Sequence, residues 1–135
     1  EKLKGRTYNQ HWVVFDKDDF PENDFNSAIL LAQQNGFEVA YSNQAFEFWF
    51  LLHFNLYQGA LHRSRYEKML SALLGFAYTK KSGVSSKMFN TLFSKQEQAI
   101  NHAKTIMRQF DGNNPAQQES STTVHLLVKE LNKFL

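Results

Sequence analysis

The sequence predicts an α/β fold, a parallel β-α-β core followed by a helical C-terminal half. Two observations predict it. Within residues 11–42, two short apolar runs flank one amphipathic stretch of helical period. From residue 45 onward the apolar spacing is helical throughout, broken by polar and Gly-containing segments. The 135 residues suit one domain, with 11–54 as a β-α-β-α core and 63–135 as the helical portion.

The elements follow in order. His11–Asp16 is rich in β-branched and aromatic residues and reads as a buried strand. Its acids and Pro make the stretch from Asp16 to Asp24 a loop. Asn23 or Asp24 is the expected cap of a helix over Phe25–Asn35, where Phe25, Ala28, Ile29 and Ala32 form the apolar stripe. Gly36 closes that helix, and Phe37–Ser42 is the second strand. Its crossover is expected to be right-handed, with parallel strands. Two strands alone do not stand. Either strands precede Glu1, truncating the core at its N-terminus, or later segments supply them.

Asn43 and Gln44 turn the chain into a helix over Ala45–Phe54, apolar all round and therefore buried. Ser64 is the expected cap of a helix over Arg65–Gly75. Thr79–Ser86 reads as a loop and Lys87–Phe93 as a short helix. Ser94 and Glu97 have capping-box spacing for a helix over Lys95–Phe110. Asp111–Ser121 is a polar loop, and Thr122 or Thr123 opens a last helix reaching Phe134.

Composition removes several classes. The chain has no Cys, so disulfides, thiolate nucleophiles and Cys-based zinc sites are excluded. Absence of Cys fits a reducing cytosol, and a cytoplasmic location is expected. No stretch approaches the roughly 18–20 apolar residues of a membrane span, so no membrane partner is expected. A net charge of +2 is too small to imply nucleic acid by itself.

The chemically informative stretch is Asp16-Lys17-Asp18-Asp19, directly after a strand. Ligands of open α/β sheets sit beyond the carboxyl ends of strands. In an extended segment Asp16 and Asp18 face one side, where hard carboxylate oxygens suit Mg²⁺ or Mn²⁺. Asp is also common in turns and caps, which accounts for the cluster without chemistry. An EF-hand loop fails, because Phe20, Pro21 and Ser27 occupy its key places. The D-x-D of haloacid-dehalogenase phosphatases, with Asp16 as nucleophile, matches poorly because Asp19 follows. The D-x-D of Toprim domains matches, and needs a further Glu from an earlier strand.

Other candidates have two readings each. Glu47, alone in an apolar helix, joins Asp16 and Asp18 as a third catalytic acid or satisfies the helix dipole. His53 supports the site or is a core imidazole bonded to a carbonyl. Ser42 and Asn43 orient phosphate or make the turn, and Asp19 caps the turn or faces elsewhere. Arg63, Arg65, Lys68, Lys80, Lys81 and Lys87, interleaved with Tyr66 and Tyr78, track a phosphate backbone or are a solvated face. His11, His62, His102 and His125 have no ligand spacing.

The acidic turn, the S-N-x-x-F-E-x-W-x-L-L-H-F stretch from Ser42 to Phe54, Asn114-Pro115 and the run from Ser121 to Leu131 together resemble the RloB family. The resemblance covers residues 11–135. The family usually has Pro and Cys where Gln44 and Ala45 stand. The resemblance implies a Toprim-like core and a Mg²⁺- or Mn²⁺-dependent nuclease, with Asp16 and Asp18 as metal ligands and Glu47 in support. It also implies a prokaryotic phage-defence or restriction-linked setting, a neighbouring AAA or ABC-type ATPase, and DNA or RNA (tRNA included) as substrate. A homo-oligomer stays open. A first acidic motif is expected before Glu1, its Glu serving proton transfer. The alternative is an interaction module docking the ATPase, its acids vestigial.

Overall fold

The computed structural model describes residues 10–59, 61–79, 82–110 and 114–134. Strands β1 (Trp12–Asp16) and β2 (Glu38–Ser42) are parallel, with Trp12 opposite Glu38 and Asp16 opposite Ser42. Helix α1 (Glu22–Gln34) crosses between them. Five helices follow: α2 (Glu47–Leu51), α3 (Tyr66–Leu74), α4 (Ser82–Leu92), α5 (Gln96–Met107) and α6 (Val124–Asn132). The chain is thus a mixed α/β protein with a two-stranded parallel sheet and a helical second half.

Strand alternation sorts the core into two layers. Val39 and Tyr41 face α1, packing on Phe25 and Ile29. Ala40 faces the other way, into a cluster with Phe48, Leu51, Leu52, Tyr66, Leu70, Ala99, Ala103 and Ile106. Burying each large side chain contributes about 1.5–3 kcal/mol.

The end of α1 follows the expected pattern. Gly36 has φ +84, its N–H donates to Gln33 O, and Phe37 N–H donates to Ala32 O, a Schellman closure. Several starts do not. Helix α1 begins at Glu22 after Pro21, with no side-chain cap, so Asn23 and Asp24 lie inside its first turn. Pro presets the backbone angle there, and the acids complement the dipole instead of capping. Helix α2 is shorter than 45–54; turns complete it at both ends. His62, not Ser64, caps the turn at 63–65, its imidazole accepting from Ser64 N–H. The capping box of Ser94 and Glu97 does not form, because residues 93–95 are already a 3₁₀ turn leading into α5. Within the expected loop 79–86, the backbone is helical from Ser82, since Met88 and Leu92 must reach the core. Tertiary burial here overrides weak local propensity. Helices α5 and α6 stop short of Phe110 and Phe134.

The largest departure concerns the expected polar loop before residue 121. Gln118, Ser120, Ser121, Thr122 and Thr123 are all buried, and Thr122 forms an antiparallel bridge with Ser42. Thr123 N–H donates to Tyr41 O at 2.7 Å, Tyr41 N–H to Thr123 Oγ1 at 2.9 Å, and Asn43 N–H to Ser121 O at 3.0 Å. A later segment therefore covers the outer edge of β2. No helix among the described residues is long and apolar enough to cross a membrane.

Leu70, fully buried, and Leu31, 61% exposed, form a controlled pair. Leu70→Ala should cost about 2–5 kcal/mol in chemical denaturation, and Leu31→Ala about 0.5 kcal/mol or less.

Candidate functional site

The parallel ladder puts the carboxyl ends of both strands at one end of the sheet, and there the acidic turn begins. Asp16 closes β1 opposite Ser42, and its Oδ1 is buried. Lys17 N–H donates to Ser42 O at 3.1 Å, so the turn stays against the tip of β2. Asp18 then adopts φ +47, a left-handed conformation that Asp tolerates better than most residues. The extended alternation expected to place Asp16 and Asp18 on one side stops at that residue. What holds Asp18 at the tip is its N–H bond to Gln44 O, 2.8 Å.

Arg63 completes the turn from another element. Its Nε lies 3.6 Å from Asp18 Oδ1, and its Nη2 donates to Asp19 Oδ1. Its own N–H donates to Gln44 Oε1 at 2.7 Å. Gln44 thus binds both partners, one through its backbone and one through its side chain. Arg63's hydrogen bond and charge hold the Asp19 carboxyl below the usual carboxylate range. Sequence reasoning placed Arg63 among phosphate-binding residues and did not foresee that it faces the acids; 44 residues separate it from Asp19.

Glu47 lies in the first turn of α2 and is buried. Tyr78 Oη donates to its Oε2 at 2.8 Å. Sequence reasoning set Tyr78 in the basic zone; its bond to Glu47, 31 positions away, carries no local signal. Burial first, then the Glu47 carboxylate, pushes its phenol well up, so it remains a donor.

Ser42 and Asn43 serve the frame. Ser42 Oγ bonds Thr122 Oγ1 at 2.9 Å. Asn43 Nδ2 donates to Pro115 O and Ala116 O at 2.9 and 3.0 Å, holding the 115–117 turn against the strand end. His53 is buried with Nδ1 bonded to Trp49 O at 3.0 Å, the core arrangement. In the basic zone, Tyr66 and Tyr78 are buried and offer no face for a base. Lys87 sits over the Phe76 ring; Arg65 and Lys68 are exposed. Lys80 and Lys81 lie outside the described residues.

Among the described residues no group of three His, Cys, Asp or Glu gathers as a metal cage. Mg²⁺ does not require one. It dehydrates reluctantly and is commonly held by one or two carboxylates, water and substrate phosphate. Asp16 and Asp18, hard oxygen donors on either side of Lys17 at the strand tip, fit that demand in donor chemistry.

The family model described as "RloB-like protein" matches residues 1–131. The chain therefore belongs to the RloB-like protein family. No curated protein and no solved structure matches the chain.

Two measurements probe these assignments. Tyr78→Phe removes a donor from a buried carboxylate and should cost about 1–3 kcal/mol in urea denaturation. Burial also holds two imidazoles neutral: His53 is lowered, and His125 is lowered to about 4. The unfolded chain takes up these protons near the ordinary value of 6.5, before the folded one does. Stability should be full above that pH and fall as pH drops towards about 4. His125→Gln should flatten the slope of the urea midpoint against pH.

Proposed function

We propose that this member of the RloB-like family is a metal-dependent nuclease, or a domain derived from one, acting on phosphodiester bonds with Mg²⁺ or Mn²⁺. The observation that carries the reading is Asp16: a carboxylate at the carboxyl end of a parallel strand, one oxygen buried, beside Asp18, held by Gln44, and Asp19, held by Arg63. Asp16 and Asp18 are the proposed ligands, and Glu47, fixed by Tyr78, is the supporting acid. A bound divalent cation would supply Lewis-acid stabilisation of charge on the phosphoryl oxygens.

Arg63 has a double role under this proposal. At rest it neutralises Asp18 and Asp19. Those carboxylates are exposed, so the pairing contributes little to stability and yields readily to a phosphate. A guanidinium fork suits phosphate as well as carboxylate. The approaching nucleic-acid backbone thus takes the cation from the acids that the metal needs. DNA or RNA substrate, cytoplasmic action, and a phage-defence setting with an AAA or ABC-type ATPase are proposals supported by the family resemblance.

A second reading has its own observation. Phe89 near the end of α4 and Phe93 in the 3₁₀ turn after it stack at 5.2 Å while 64% and 55% exposed, an unusual solvent-facing pair. This favours an interaction module that docks the ATPase, with the acids vestigial and latched by Arg63.

Labelled DNA and tRNA incubated with Mg²⁺ or Mn²⁺ test the first reading. Asp16→Asn should lower cleavage at least about a hundredfold. Cleavage that persists in this variant rejects the assignment. Calorimetric titration with Mn²⁺ should give a heat that Asp16→Ala abolishes; no heat from the unaltered protein selects the interaction module.

A further inference from the structure

Tyr66 and Tyr78, the aromatic residues of the basic zone, are buried, so a ring that meets a base must lie elsewhere. The strongly exposed Phe residues among those described are Phe20, Phe89, Phe93 and Phe134. Phe20, 61% exposed, is the one that belongs to the acidic turn.

An exposed apolar side chain is ordinary on a protein surface. The backbone beneath this one is anchored on both sides. Lys17 N–H donates to Ser42 O at 3.1 Å and Asp18 N–H to Gln44 O at 2.8 Å. Phe20 N–H donates back to Lys17 O at 2.9 Å, which closes the turn 17–20. Pro21 follows, its ring fixing φ, and its carbonyl accepts Phe25 N–H at 3.1 Å where α1 begins. Phe20 is thus presented to solvent on a backbone with little freedom left to lose on binding.

The residue before it, Asp19, is held by Arg63 Nη2, and Arg63 Nε lies 3.6 Å from Asp18 Oδ1. The exposed ring therefore follows directly on the carboxylates from which a substrate phosphate would take the guanidinium. Bases in a duplex stack on one another and show only their edges in the grooves. An aromatic face beside the phosphate position is of use only to an unpaired base, which can splay out and stack on it.

We infer that Phe20 is the stacking platform for an unpaired base next to the phosphate that Arg63 binds, so that the substrate is single-stranded DNA or RNA, or an unpaired loop, and not a duplex. The inference rests on the nucleic-acid reading above and adds the strandedness of the substrate to it.

Fluorescence anisotropy on the full chain tests the platform, with Ca²⁺ in place of Mg²⁺ and strand integrity checked on a gel. The labelled probes are a mixed-sequence single strand, the same sequence as a duplex, and the same strand with an abasic run. The unaltered protein should bind the single strand more tightly than the other two. F20A should weaken single-strand binding roughly five- to hundredfold and leave the other two unchanged. F20W should keep single-strand binding. The indole emission it adds to that of Trp12 and Trp49 should be quenched by the single strand and not by the abasic one. Because Phe20 is exposed, both variants should keep the urea midpoint of the unaltered protein.

Equal single-strand affinity in F20A and the unaltered protein overturns the platform and leaves the metal site standing. Equal affinity of the unaltered protein for strand and duplex does the same. An unaltered protein that binds none of the probes overturns the nucleic-acid substrate and the platform with it. Loss of single-strand binding in F20A, with no cleavage by the unaltered protein in Mg²⁺ or Mn²⁺, upholds the platform and rejects the nuclease.

Discussion

The seam between β2 and residues 118–123 is the constraint on which the rest of the molecule depends. In a parallel pair only alternate backbone groups face the partner strand. Glu38 N–H turns inward to His11 O, whereas the polar groups of Tyr41 and Asn43 point outward. Left in a dry core, each would cost as much as a lost hydrogen bond. Ser121 and Thr123 answer them with backbone and hydroxyl groups, and Tyr41 Oη reaches Gln118 Oε1 at 2.5 Å. The same residues deliver the chain into α6, where Val124 enters the core. A run of Ser and Thr is well matched to this task, being small enough to bury and rich enough in polar atoms to satisfy a strand edge.

Local pattern made the first third of the fold legible. The apolar run of β1, the stripe of α1 and the Gly36 closure are all short-range effects, and the strands are parallel as expected. Caps were less legible. Ser94 and Glu97 have the right spacing, yet the preceding 3₁₀ turn removes the geometry that a box requires. The start of α4, from Ser82 to Ser86, was hidden because these residues favour loops, while the later part was read as a short helix; the burial of Met88 and Leu92 accounts for the longer one. Residues 118–123 were hidden for the opposite reason. Their polarity signals solvent, and nothing local indicates that a strand edge awaits them.

The candidate site divides the same way. Asp16 at a strand tip was readable from one run of sequence. Its surroundings were not, since Arg63 and Tyr78 arrive from distant elements, and the left-handed Asp18 depends on a bond to Gln44. Gln44 links the two, its backbone oxygen taking Asp18 N–H and its side chain taking Arg63 N–H. Ser42 and Asn43, for which the sequence left both phosphate and turn roles open, bond to Thr122 in the seam and to the 115–117 turn.

The seam has a temporal side as well. Tyr41 and Thr123 are 82 positions apart. A ribosome adding roughly 5–20 residues per second needs roughly 4–16 s to travel that far. Throughout that interval β2 has an open flank, and its apolar neighbours have little to enclose them. A nascent chain in this condition invites strand addition from other chains, so its yield in a cell should depend on how quickly translation reaches the second half, and on chaperones that occupy the flank until then.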